Sequence, residues 1–258
     1  MNTFEDDLAA QRAMMFDTSR GRTDQQETQV AVFAYEAPLR IWHWLNFLCM
    51  IVLCTTGWLI GQPLPSIGGE ASDHFMFGYV RFAHFAAGQT FAIAFIGRIL
   101  YTFFGNATAR ELFVVPVWSA KWWRDFFATL KWYFFLQPRA QRFIGHNPLA
   151  QFMMFTTFVL PSFVIIATGV ALYVEPLGID HPLRIVTDTV FAVTGGSLQT
   201  HVFHHLSMWL TICFVILHVY AAIREEIMSR QSMISTMISG WRIDRKSTRL
   251  NSSHIPLS

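Results

Sequence analysis

Ten histidines occur in this 258-residue chain, and His43, His84, His204, His205 and His218 fall inside long apolar blocks. An ionisable side chain in such a block is costly and by default marks function. His204 and His218 are 14 residues apart. At about 100° per residue that is four turns less about 40°, so on a helix they share a face about 21 Å apart along the axis. One helix then presents two ligands at two levels. If successive helices alternate in direction, His43 meets His218 at one level and His84 meets His204 at the other. Two stacked bis-histidine sites in apolar surroundings suit two b-type haems, each needing a neutral imidazole nitrogen on both faces of its iron. A single histidine of this kind reads more simply as an interhelical hydrogen-bonding residue; the spacing selects ligation.

Two further residues share the interval. Gly57 lies 14 residues after His43, where a side-chain-free spot lets the edge of the outer haem approach the backbone, or merely packs helices. Arg98 lies 14 residues after His84, deep in its block, and is a natural partner for a propionate of the inner haem; the alternative is snorkelling to headgroups. His205 is rotated about 100° from His204 and reads as a pocket or hydrogen-bonding residue. His201, one turn earlier, reads as a supporting group or a partner contact at the outer surface. His74, His181 and His146 fall in loops.

The elements that must position these residues follow from composition. Hydrophobic residues make up 53% of the chain and charged ones 14%, against roughly 25% charged in an average soluble domain. The apolar residues collect into four blocks, Ile41–Gly61, Val80–Phe104, Leu149–Val174 and Val202–Ile223. Each is about the 20 residues needed to cross ~30 Å of hydrocarbon. The expectation is an all-α integral membrane protein, a four-transmembrane-helix bundle. A net charge of +2 suggests no nucleic-acid partner. Cys49, Cys54 and Cys213 sit in apolar blocks with no CxxC or CxxCH, which excludes a thiolate-held cluster, a structural zinc and covalently attached haem, and reads as buried thiols.

Lys and Arg are absent from 62–79, and 175–201 holds only Arg184, whereas 105–148 holds Arg110, Lys121, Arg124, Lys131, Arg139 and Arg142. The positive-inside bias places both termini and the middle loop in the cytoplasm. Val117–Gln137 mixes tryptophans and phenylalanines with Lys121, Arg124 and Lys131, and predicts an interfacial amphipathic helix between the second and third spans, with a fifth span as the alternative. Pro161 predicts a kink in the third span. Residues 1–30 read as a polar cytoplasmic tail without a cleavable signal peptide, 31–242 as the transmembrane domain, and 243–258 as a disordered or non-native tail that takes His254 with it. No internal repeat is expected.

Tyr35–Trp44 (YEAPLRIWHW), Arg110–Trp118 (RELFVVPVW), Ile144–Gln151 (IGHNPLAQ), Thr194–Trp209 (TGGSLQTHVFHHLSMW) and Arg224–Gly240 (REEIMSRQSMISTMISG) resemble the b-type cytochrome subunit of membrane-bound nickel–iron uptake hydrogenases. The resemblance extends through polar loops that hydrophobicity does not dictate. It implies a subunit of the cytoplasmic (inner) membrane that anchors the hydrogenase small and large subunits and passes their electrons to menaquinone or ubiquinone. It places the haem histidines on His43, His84, His204 and His218. His205 stands where close relatives are expected to carry Arg. Arg40, Asn46 and His146 are the polar candidates for a quinone pocket near the inner haem, or else caps and headgroup contacts. The competing readings are the cytochrome b subunit of a formate dehydrogenase or thiosulfate reductase and, in a different class, a non-redox anchor or a proton-relay transporter.

Overall fold

The computed structural model describes residues 29–65, 70, 75–137, 143, 146–229 and 234–245; His74, His254 and the remaining tail residues lie outside them. Strand β1 (Gln29–Phe33) leads into α1 (Ala37–Gly61), α2 (Met76–Phe104), the single turn α3 (Ala107–Arg110), α4 (Ala120–Tyr133) and α5 (Pro148–Met154). A π-helical turn at Phe155–Val159, α6 (Leu160–Val174), a short turn at Glu175–Leu177, α7 (Arg184–Thr194), α8 (Ser197–Ser229), α9 (Thr236–Ser239) and β2 (Trp241–Arg245) follow. Among the described residues four helices are long and apolar enough to cross a membrane: α1, α2, the continuous run Pro148–Leu177, and α8. With 33 residues, α8 is about 50 Å long and outreaches ~30 Å of hydrocarbon.

Local chemistry explains the boundaries. Glu36 in extended conformation and a proline in the first turn start α1. The third span loosens into its π turn just ahead of Pro161, whose missing N–H interrupts the helical ladder. Between α7 and α8 the chain reverses through Gly195 and Gly196, at φ 96° and 115°, a conformation that residues with a Cβ adopt only under strain.

Helix α1 packs along α2, and α6 packs along α8. The two pairs meet through aromatic side chains: Phe158 lies 6.2 Å from Trp42, 6.4 Å from Phe95 and 5.3 Å from Phe214, centre to centre. Around Phe158 the buried core gathers Cys49, Phe91, Phe95, Leu112, Met154 and Val159.

The amphipathic helix between the second and third spans is α4. At 14 residues it measures about 21 Å, too short for a fifth crossing. Trp122, Phe126, Thr129 and Trp132 form its buried face, while Lys121, Arg124 and Lys131 are exposed. The Trp122 indole donates to Gln151 Oε1 at 2.9 Å, which ties α4 to α5.

Several features depart from the sequence expectations. Cys213 is exposed and Cys54 only half-buried, so Cys49 alone is a buried thiol. The connection between the third and fourth spans carries an unforeseen helix, α7. Finally, β1 pairs antiparallel with β2, Gln29 opposite Arg245 and Phe33 opposite Trp241. This ribbon places the segments before α1 and after α8 on one face of the bundle, as an even number of crossings requires.

Candidate functional site

Four histidines from three helices face one another across the gap between the helix pairs. The rings of His43 on α1 and His218 on α8 are 6.4 Å apart, centre to centre. Those of His84 on α2 and His204 on α8 are 6.3 Å apart. With a metal–nitrogen bond of about 2 Å and a ring centre about 1 Å beyond the nitrogen, two axial imidazoles sharing one metal place their centres about 6 Å apart. Both pairs meet that spacing. Among the described residues no group of three or more His, Cys, Asp or Glu side chains gathers to hold an ion. Two ligands alone do not close a zinc site, but they complete an iron whose other four positions belong to a porphyrin.

The His84–His204 pair is gripped from both sides. Thr56 donates its hydroxyl hydrogen to the Val52 carbonyl at 2.6 Å. Its oxygen lies 2.9 Å from His84 Nδ1. A hydroxyl has one hydrogen to give, so towards the imidazole it accepts, and Nδ1 of His84 carries the proton. On α6, Thr168 repeats the arrangement, donating to Val164 O at 2.7 Å and standing 2.9 Å from His204 Nδ1. Both rings are thereby fixed in the tautomer that leaves the Nε2 lone pair for a metal.

Each threonine is followed by a glycine. A Cβ on Gly57 would lie 3.4 Å from His84 Cε1 and 3.3 Å from Met208 Sδ, and one on Gly169 would lie 3.2 Å from His204 Cε1. The side-chain-free spot at Gly57 therefore receives an imidazole and a thioether. Thr56-Gly57 and Thr168-Gly169 form a local repeat that was not expected. The only sequence sign of it was a Thr-Gly dipeptide inside two apolar blocks.

The other candidates are distributed as follows. His205 turns away from His84 and sits at the end of α1, where a Cβ on Gly61 would come within 2.8 Å of its Nε2. His201 is exposed and bonds the Ser197 carbonyl through Nδ1 at 3.0 Å. Arg98 is buried, donates to Ala109 O at 2.6 Å and to Thr102 Oγ1 at 3.3 Å, and lies 5.5 Å from the Trp42 ring centre. Its Nε has no partner among the described residues. Arg40 donates to the Ile238 carbonyl and Asn46 to Trp42 O, while Arg40 Nε and Asn46 Oδ1 are buried with no hydrogen-bond partner among the described residues. His146 instead joins a polar cluster: its Nδ1 lies 2.9 Å from Glu111 Oε2 and its Nε2 3.5 Å from the Tyr35 hydroxyl. Burial, and then the Glu111 carboxylate, push the Tyr35 phenol above its ordinary range.

At the His43–His218 pair, Phe214 stacks on His218 at 5.3 Å. His43 Nδ1 is buried with no hydrogen-bond partner among the described residues.

Residues 34–240 match the family described as Prokaryotic cytochrome b561. A "Probable Ni/Fe-hydrogenase B-type cytochrome subunit" of Azotobacter vinelandii is 48% identical over 233 residues, covering 89% of this chain and 97% of that protein. One of the same description from Bradyrhizobium diazoefficiens is 51% identical over 211 residues, covering 82% and 85%. The "Probable Ni/Fe-hydrogenase 1 B-type cytochrome subunit" of Escherichia coli K12 is 47% identical over 220 residues, covering 84% and 93%.

Proposed function

The chain belongs to the prokaryotic cytochrome b561 family, and from that premise we propose that it is the haem b subunit that anchors a nickel–iron hydrogenase to the inner membrane and passes its electrons to quinone. The observation that carries the reading is the pair of opposed imidazole couples, 6.4 Å and 6.3 Å apart, projecting from one face of α8. A haem b held by each couple supplies a one-electron iron centre. His84 and His204 hold the outer one, His43 and His218 the inner. The phenylalanine core around Phe158 keeps water from the inner couple, and Arg98 Nε remains for an anionic group such as a propionate.

Orientation follows from charge. The paired chain ends share a face with the basic 105–148 connection, which supports cytoplasmic termini. The outer couple then faces the hydrogenase small subunit, which bears the iron–sulfur clusters and in turn the large subunit, with His201 exposed towards them. The inner couple faces the cytoplasmic side, where menaquinone or ubiquinone is reduced. Of the three quinone candidates, Arg40 Nε and Asn46 Oδ1 are buried without a partner among the described residues, and the contact of His146 with Glu111 provides a route for protons.

Affinity purification of the tagged chain from native membranes tests the reading. A co-purifying nickel–iron hydrogenase and a bis-histidine haem b difference spectrum are expected. A molybdenum partner would instead favour a formate dehydrogenase or thiosulfate reductase assembly, and absence of haem bands would favour a plain anchor or transporter.

A further inference from the structure

The two histidine couples are not equivalent. At the outer couple both imidazoles donate Nδ1–H to a threonine oxygen at 2.9 Å, from Thr56 on α1 and Thr168 on α6. Each acceptor is itself held, because its hydroxyl hydrogen is spent on the carbonyl four residues earlier. At the inner couple, His43 Nδ1 meets no acceptor among the described residues. The inner environment adds a buried guanidinium, Arg98, over the ring of Trp42, the residue before His43.

An acceptor on Nδ1–H makes the opposite ring nitrogen a stronger donor to the metal. Stronger donation favours the oxidised iron, and hydrogen bonding around the ligands is one of the protein's levers on haem potential. Arg98, matched with an anionic haem edge, leaves the hydrogen bonds to Nδ1 as the difference between the two couples.

We propose that Thr56 and Thr168 are positioning residues that set the outer site at a lower potential than the inner one, so that electrons run downhill from the outer face to the cytoplasmic face. The inference rests on the two-haem reading above. Passage between the sites moves one electron at a time and makes or breaks no bond. The flanking Gly57 and Gly169 serve the same end, because they let each imidazole come close enough to the neighbouring helix for its threonine to reach Nδ1. Two dipeptides far apart in sequence thus perform one task, each on the helix packed beside the one that bears the histidine.

Redox titration of the haem absorption in the solubilised hydrogenase–cytochrome complex tests this. His84→Ala and His43→Ala assign the two waves by removing one each. In the unaltered chain the outer wave is expected at the lower potential. Thr56→Val and Thr168→Val are each expected to move the outer midpoint upward and leave the inner one in place, with Thr→Ser at either position restoring it. If a valine variant loses the outer haem, Thr→Cys retains a weak acceptor of similar size and is expected to give an upward shift of the same sign. An outer midpoint that stays put with its haem retained, an equal movement of both waves, or an outer wave above the inner one in the unaltered chain would overturn the inference while leaving two haems in place. One haem per unaltered chain would overturn the two-haem reading and the inference together.

Discussion

The imidazoles of His84 and His204 face each other at 69° between ring planes with centres 6.3 Å apart. Neither ring is free to choose this pose, since each is held at Nδ1 by a threonine and given room beside it by the glycine that follows that threonine. An outer site prepared in this way should bind its haem with little reorganisation of the chain.

Replacement of single ligands should therefore separate the two haems. His43→Ala is expected to remove the inner haem and His84→Ala the outer, each leaving the other in place. Haem per polypeptide, measured as the pyridine complex, should fall by half in both variants. Retention of both haems in either variant would break the assigned pairing.

Gly169→Val should act as an outer-site variant without touching a ligand. Its first carbon would already stand 3.2 Å from His204 Cε1, and the branched methyls of valine leave the ring no room. The expected result is loss of the outer haem with the inner one retained. Gly57→Ala should be milder, because a neighbour at 3.3 Å is the flexible Met208 thioether. Absorption spectra of the purified variants read both.

The Arg224 guanidinium lies 3.9 Å from the Trp132 ring centre and 4.4 Å from that of Tyr133, and donates to Trp132 O. It fastens the end of α4 to α8. Arg224→Ala should lower thermal stability in detergent, with a desolvated cation–π contact contributing about 2 kcal/mol. The outer haem, at the far end of α8, should remain spectroscopically unchanged.

A pH effect follows from Tyr35, whose phenol is held neutral by burial and then by Glu111. A raised pKa in the folded chain means that its contribution is fully present below the ordinary tyrosine value of about 10 and is lost as pH rises beyond it. Thermal stability in detergent should therefore fall in strongly alkaline buffer. Tyr35→Phe, which has no proton to lose, should show a shallower decline; an unchanged slope would mean that other groups govern it.

The facing of His43 with His218 and of His84 with His204 was legible because helical geometry is periodic, so that a 14-residue interval converts directly into a shared face. The four spans were legible for a similar reason, because hydrocarbon thickness sets their length. Thr56 and Thr168 were not, since a threonine in an apolar block satisfies its own hydroxyl on the preceding turn and gives no outward sign of a second bond. Which of His204 and His205 turns towards His84 depends on the rotation of α8 against α6, a packing outcome with no local signature. Helix α7 is short and only moderately apolar, and β1 and β2 are five-residue strands whose partners lie at opposite ends of the chain.

That last separation bears on how the protein is made. Gln29 pairs with Arg245, so the ribbon has no partner strand until the ribosome has finished the fourth helix and the turn beyond it. Gly240 O accepts from the backbone N–H groups of Ala34 and Tyr35, and Arg40 reaches the Ile238 carbonyl, which joins the start of α1 to the segment that follows α8. Contacts between chain ends form late, because the long intervening loop must close first. The helices can enter the bilayer one after another, but the clasp that ties the first to the last closes only after residues 241–245 have been made. A nascent chain halted before residue 241 would have its histidines in place and its two ends unfastened.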